Sequence, residues 1–285
     1  MAAELGLTGR TLVAEAATRL RRAGVADARR EALRIWTGLE GGTAAALLVD
    51  DREPIATGRT SAYLTAVDRR ATGEPLAYVT GRAGFRHLVL HSDRRALIPR
   101  PETEGLVDLV LARVRGGCVA DVGTGSGCIA LSLATEGELA RVVGLDISAD
   151  ALALADENRR ATGARVLFLR GDLTDALGPR CLDALVSNPP YLTTGEYAGL
   201  DPSVRDWEPE QALSAGRDGL ETVGRLLADG CRVLRPGGWL ALEIDVARAA
   251  RCAEWAGASG YTDVAIHTDL FGRERYLLAR RSDAQ

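Results

Sequence analysis

The sequence predicts an α/β protein in two parts, a small all-helical domain followed by a larger open sheet of mostly parallel strands with helices on both faces. Three observations predict it. From about residue 105 onward, apolar β-rich runs alternate with helical stretches, as in consecutive strand–helix–strand units. Before residue 73 the apolar residues recur only at helical spacing. Near the start of the later region the loop DVGTGSG, residues 121–127, joins an apolar run to a helical stretch, the local form of a ligand-binding turn.

In chain order, Leu12, Val13, Ala16, Ala17 and Leu20 define a first helix, and Gly24 supplies its stop. Asp27 is expected to cap a second helix whose Leu33, Trp36 and Leu39 share a face. Pro54 suits the first turn of a later helix that buries Ile55, Tyr63 and Val67. These elements make a helical domain over 1–72. A linker over 73–104 holds two strand-like runs, LAYVTG and HLVLHS, and ends in the proline-bracketed corner LIPRPETE. Seven strand candidates follow within 105–285: CVADVG, RVVGLD, RVLFLRGD, LDALVSNPP, GGWLALEI, TDVAIHTD and RERYLLA. The last two lie close together and predict a terminal hairpin.

A length of 285 residues suits two domains, and 46% hydrophobic with 26% charged residues is ordinary for a folded, water-soluble chain. The net charge is −4, carried with arginine as the sole basic residue type besides three histidines. An acidic balance argues against strong non-specific binding to duplex DNA, so direct nucleic-acid binding is not expected. Five cysteines form no C-x-x-C pair, which signals neither a metal site nor a disulfide framework and fits a reducing cytoplasm. MAAELGLTGR has no secretory pattern, and no apolar run is long enough to span a bilayer. His87, His91 and His267 are scattered, which suits surface or packing roles, and the four tryptophans are expected in the core.

In the loop, Gly123, Gly125 and Gly127 remove side chains where backbone must approach a ligand, and the following helix offers unpaired N–H groups. Nineteen residues after Gly127 the run RVVGL ends in Asp146, whose carboxylate can accept hydrogen bonds from both hydroxyls of a ribose. Tight turns use glycine without any ligand, so the acid at the end of the next strand is what turns the loop into a cofactor site. The spacing is not G-x-G-x-x-G, which disfavours nicotinamide and flavin cofactors, and no G-x-x-x-x-G-K-[ST] is present.

SNPPY, residues 187–191, follows the fourth strand of this series, where an open α/β sheet places its ligand crevice. Asn-Pro-Pro alone would make only a turn. Beside a cofactor it can do more. A planar NH2 conjugated to a carbonyl or a ring is a poor nucleophile, because its lone pair is delocalised. The Asn188 side-chain oxygen and the Pro189 carbonyl, held by the ring of Pro190, can accept its two N–H bonds, while Tyr191 lies along the flat group. Catalysis would then come from orientation and fixed dipoles, with no metal.

D-x-G-x-G-x-G resembles the first motif of the Rossmann-like, seven-stranded class I methyltransferases that use S-adenosylmethionine. The resemblance implies that Gly123, Thr124, Gly125, Ser126 and Gly127 hold S-adenosylmethionine, leaving S-adenosylhomocysteine as product, with Asp146 and Ile147 at the ribose, Asp172 and Leu173 beside the adenine, and Asn188 reaching the cofactor too. Over nearly the whole chain the sequence resembles the release-factor glutamine N5-methyltransferases, the HemK/PrmC family, through EPLAYVTG (74–81), LIPRPETE (97–104), DVGTGSGCIAL (121–131), SNPPY (187–191), EPEQALSAGRDGL (208–220) and DLFGRERYLLA (269–279). That resemblance implies a protein substrate, the glutamine of the Gly-Gly-Gln motif in peptide chain release factors, with the helical domain helping to dock it. Arg100 and Glu102 are then either cleft-wall residues or an ion pair that holds the linker. The chain departs from the family pattern at Gly84, Leu90, Ser92 and Asp245. The competing readings are an adenine-N6 methyltransferase on nucleic acid, which shares NPPY, a methyltransferase for another protein or a small molecule, and a non-catalytic binding module.

Overall fold

The computed structural model describes residues 7–40 and 54–283. By its contacts the chain divides into two compact units, Met1–Arg82 with Asp201–Trp207, and Ala83–Leu200 with Glu208–Gln285. The parts of the expected helical domain at 1–6 and 41–53 lie outside the described residues.

The first unit is helical: α1 (Gly9–Arg22), α2 (Ala28–Glu40), α3 (Thr57–Ala71) and α4 (Leu76–Thr80). All five apolar residues expected on α1 are buried, and Gly24 takes a left-handed φ of 79° just beyond its end. On α2 the buried face is Ala28, Ala32, Ile35 and Trp36, whereas Leu33 is only partly buried and Leu39, on the last turn, is 36% exposed. The small Ala32 admits the ring of Tyr63, whose hydroxyl donates to the Ala32 carbonyl at 2.8 Å. Asp27 precedes α2 with φ 46°, outside the extended region of an N-cap, and its carbonyl rather than its side chain serves the helix by accepting from Glu31 N at 3.0 Å. Pro54 stands ahead of α3 instead of inside its first turn. The strand-like run LAYVTG is corrected to helix: Pro75 occupies the position before α4, and Gly81, left-handed at φ 70°, ends it after one turn. Tyr78 and Val79 are the buried residues of that turn.

The second unit opens with a hairpin, β1 (Arg82–Phe85) and β2 (Leu88–His91), followed by a 3-10 turn at Pro101–Thr103 and α5 (Glu104–Leu111). Then come β3 (Cys118–Val122), α6 (Cys128–Glu136), β4 (Arg141–Asp146), α7 (Ala149–Thr162), β5 (Val166–Arg170) and β6 (Leu182–Ser187). The unit ends with α8 (Glu221–Val233), β7 (Leu234–Glu243), α9 (Ala249–Ala258), β8 (Tyr261–Thr268) and β9 (Glu274–Arg281). All seven strands expected from residue 105 onward form one sheet in the order β5-β4-β3-β6-β7-β9-β8. The first five are parallel; β9 runs antiparallel to both β7 and β8, giving the terminal hairpin. This is the Rossmann-like class I architecture. Central strands are buried on both faces, so β6 reads LDALVS with four consecutive buried residues at its end.

One apolar layer packs each face of the sheet: Leu226, Leu227, Leu240 and Leu242 belong to one, and Leu106, Leu131, Val142 and Val186 to the other. Two of the sequence departures are buried, Leu90 inside the second of these layers and Ser92 close to it in sequence. Asp245 takes a local role, accepting from Ala247 N at 2.8 Å and pairing with Arg248 at 3.1 Å. Of the tryptophans only Trp36 is fully buried; Trp207, Trp239 and Trp255 keep part of their surface exposed. Arg113 stacks over Trp239 and Arg251 over Trp255, because a cation on the ring face tolerates water where an aliphatic core would not.

Candidate active site

The strand order reverses at β3, with β4 on one side and β6 on the other, and a crevice opens beyond the carboxyl ends of these strands. A cleft enclosing about 1130 Å³, its open mouth included, lies there. Most of the residues singled out from sequence meet in it. Gly123, Thr124, Gly125 and Ser126 line it, as do Asp146 and Ile147 from the end of β4, Asp172 and Leu173 after β5, and Asn188 and Pro190 after β6. Gly127, Pro189 and Tyr191 do not line it.

The loop after β3 is shaped by backbone freedom. Gly123, Gly125 and Gly127 have φ of 72°, 55° and 83°. At Gly127, a Cβ would also stand 3.2–3.3 Å from Leu131, Ala155 and Phe168, so this glycine seats α6 rather than facing the cleft. Asp146 is gripped by the same turn: Gly125 N donates to one carboxylate oxygen and Ser148 N to the other, each at 2.9 Å. Asp121, at the end of β3, is fully buried. It accepts from Thr124 Oγ1 at 2.6 Å and Ala130 N at 3.1 Å through one oxygen, while Oδ1 has no partner, and burial pushes its carboxyl up to about 7. Ser126 Oγ, buried beside the cleft, is also without a partner. Near the expected adenine side, Asp172 pairs with Arg225 of α8 at 2.7 Å, and Leu173 adopts a left-handed φ of 48°. Backbone donors at a helix start and a held carboxylate on the next strand, both lining the cleft, fit a polar, cationic nucleoside cofactor.

The opposite half is built from side chains. Ser187 ends β6 with its hydroxyl on the Val122 carbonyl at 2.6 Å, tying the ends of β6 and β3. Asn188 follows, its Nδ2 donating to Thr103 Oγ1 at 3.0 Å. Thr103 in turn donates to Glu243 Oε2 at 2.8 Å. Register explains the meeting: Ser187 pairs with Leu242, so the next residue on each strand, Asn188 and Glu243, emerges side by side. The Asn188 Oδ1 and the Pro189 carbonyl accept no hydrogen bond from the described residues. Tyr191 OH stands 3.5 Å from Glu243 Oε1, a long contact, and burial pushes the phenol up to about 12. Burial likewise raises the Glu243 carboxyl.

Arg100 and Glu102 do not pair with each other. Arg100, a cleft residue, binds the buried Glu208 at 2.5 Å, and the other Glu208 oxygen accepts from Ile98 N at 3.0 Å. Glu102 instead meets Arg273 at 3.3 Å. Thr103, Glu208, Arg225 and Glu243 carry no local pattern that marks them; Glu208 and Thr103 sit within the quoted motifs EPEQAL and LIPRPETE, which was their one available signal.

Residues 11–81 match the family model described as PrmC N-terminal domain, and residues 102–199 match Methyltransferase small domain. The release factor glutamine methyltransferase of Deinococcus radiodurans is 40% identical over 96% of this chain and 98% of its own length. That of Moorella thermoacetica is 42% identical over 97% of this chain and the whole of its own. This chain belongs to the release factor glutamine methyltransferase family. A methyltransferase from Pyrococcus furiosus shares the fold of this family member, with a TM-score of 0.53 at 17% identity, over 80% of this chain and all of that one. Among the described residues no helix is long and apolar enough to cross a membrane, and no three metal-ligating side chains cluster.

Proposed function

We propose that this protein transfers a methyl group from S-adenosylmethionine to the side-chain amide nitrogen of the glutamine in the Gly-Gly-Gln motif of peptide chain release factors. Family membership supports the reaction and the substrate class. The observation that carries the chemistry is a pair of acceptors at one corner, Asn188 Oδ1 and the Pro189 carbonyl, which accept no hydrogen bond from the described residues.

Thr124, Gly125, Ser126 and Asp146 would hold the cofactor, with Asp172, Leu173 and Ile147 along the nucleoside. The cofactor supplies an electrophilic methyl on a sulfonium sulfur. Asn188 and Pro189 hold the carboxamide NH2 by its two hydrogens, so its nitrogen is presented with a defined face. As positive charge develops on nitrogen, the same two oxygen dipoles stabilise it without reorganising, and one of the two held N–H protons is then released to water to leave the neutral N-methyl amide. Tyr191 stands beside this corner rather than in the cleft wall, so its role is to bound the amide pocket next to Glu243. The helical unit would contribute to docking the release factor.

A mass spectrum of the Gly-Gly-Gln peptide from a purified release factor, taken with and without the enzyme and its methyl donor, tests the proposal. A gain of one methyl on glutamine is expected. Label found on DNA or RNA and not on the release factor would establish the adenine-N6 alternative instead.

A further inference from the structure

Asn188 has two chemically opposite edges, and only one of them can accept an amide hydrogen. Asparagine oxygen and nitrogen are assigned from their hydrogen-bond partners, so what fixes Asn188 decides whether the corner is an acceptor at all. The partner is Thr103, 85 residues away in sequence, and a hydroxyl can donate only one proton. An ionised Glu243 is acceptor-only. With Thr103 Oγ1 2.8 Å from Glu243 Oε2, the hydroxyl proton is committed to the carboxylate, and the Thr103 oxygen can only accept from the third member. That member must be Asn188 Nδ2, which leaves Oδ1 for the substrate.

We infer that Glu243, acting through Thr103, is the positioning residue that keeps the acceptor edge of Asn188 turned toward the substrate amide and polarises it. This inference rests on the reading of the site as an amide methyltransferase. The chain Glu243···Thr103···Asn188 runs in one direction, each bond strengthening the next, so the buried charge adds negative character to the Asn188 oxygen. If Glu243 gains a proton, the direction is lost. Its O–H can donate to Thr103, Thr103 then donates to the asparagine oxygen, and the NH2 edge turns to the substrate, where it meets N–H against N–H.

The surroundings set when that happens. Burial favours the protonated carboxyl and Glu102 adds to it, while Arg275 on β9 and the hydrogen bonds from Thr103 and Tyr191 favour the carboxylate. Tyr191 and Cys128, which also face Glu243, are held neutral by burial at ordinary pH, as is Tyr276, the register partner of Glu243. Methyl transfer is therefore lost as pH falls through the raised Glu243 range and is full above it.

The test uses the full-length enzyme with a release factor and S-adenosylmethionine. Wild-type turnover in the same assay first establishes the amide reaction, so failure of that reading is separate from failure of this one. Thr103→Val keeps the shape and removes the hydroxyl; kcat should fall about 30-fold or more, while KM for the release factor and the calorimetric Kd for the cofactor stay within about twofold. Thr103→Ser should restore kcat to within about threefold of wild type. Glu243→Gln, which cannot titrate, should remove the acidic limb from the kcat–pH profile. The inference is overturned if Thr103→Val keeps a third or more of wild-type kcat, if Thr103→Ser is as slow as Thr103→Val, or if Glu243→Gln retains the wild-type acidic limb. Should Thr103→Val fold poorly, the pH profile of Glu243→Gln decides alone.

Discussion

The two halves of the cleft are made of different materials. The half that would hold the cofactor is largely backbone: the left-handed Gly123 and Gly125, N–H groups at the start of α6, and an Asp146 carboxylate gripped by two main-chain donors within the same turn. The half that would hold the amide is a relay of side chains drawn from a 3-10 turn, the end of β6 and the end of β7. A backbone site is written in consecutive residues, while a side-chain relay is written only in the sheet register. That difference separates what each half does when it is damaged: the backbone half should fail in binding or folding, the side-chain half in turnover.

Asn188→Ala is the sharpest cut, because it removes the side-chain acceptor of the pair and leaves the backbone half untouched. Loss of a preorganised polar group of this kind costs roughly 10²–10³-fold in kcat. Cofactor affinity measured by calorimetry should change far less; a large loss of affinity with normal turnover would reverse the assignment of the two halves.

Asp146→Asn attacks the other half. One of the two N–H donors, Gly125 or Ser148, would then face an NH2 group instead of an oxygen. With about 1.5–3 kcal/mol for a hydrogen bond to a charged group, the cofactor Kd should rise by roughly 10–100-fold. At saturating cofactor kcat should stay within a few-fold of wild type. A fall in kcat with unchanged Kd would place Asp146 in the reaction step.

Gly127→Ala probes whether the loop is a ligand surface or a hinge for α6. A side chain in the left-handed region costs about 1–2 kcal/mol, and the close approach to Leu131, Ala155 and Phe168 adds to it. Since Gly127 does not line the cleft, the loss should appear as a lower denaturant midpoint with little change in Kd for the cofactor.

The same distinction explains what could be read in the sequence. Strands β4 and β6 are legible because parallel strands buried on both faces leave apolar runs, as in VVGL and ALV, that no solvent-facing element would tolerate, whereas the antiparallel pair β8 and β9 is legible from two β-rich runs lying close together. The cofactor loop is legible because its glycines are required by φ. LAYVTG misleads: five residues between Pro75 and Gly81 carry too little pattern to separate one helical turn from a short strand. Leu39 misleads because helical spacing shows which residues share a face but not where that face stops being covered. Arg100 and Glu102, two residues apart, suggest a pair; the fold instead sends Arg100 to Glu208 and Glu102 to Arg273, partners more than 100 residues away. Thr103 and Glu243 stay invisible for the same reason, since nothing local says that a threonine in one turn and a glutamate at a strand end will meet.

Asp121 provides the finest test, since it belongs to neither half cleanly: its neighbours are the loop, yet it acts as a buried side chain. Its carboxyl is raised from the ordinary aspartate range to about 7 because burial penalises the charge more than Thr124 and Ala130 relieve it. A raised value in the folded state means that the fold binds a proton the unfolded chain has already released. Its contribution to stability is therefore fully present below the ordinary aspartate range and is lost as pH climbs toward 7. Asp121→Asn keeps an oxygen for Thr124 Oγ1 and Ala130 N but never ionises. The variant should gain on wild type as pH rises from 5 to 8, by on the order of 1 kcal/mol in urea unfolding, with the difference flattening above about 7. A pH-independent difference between the two proteins would mean that Asp121 is ionised throughout, and that its unpartnered Oδ1 meets a compensating group.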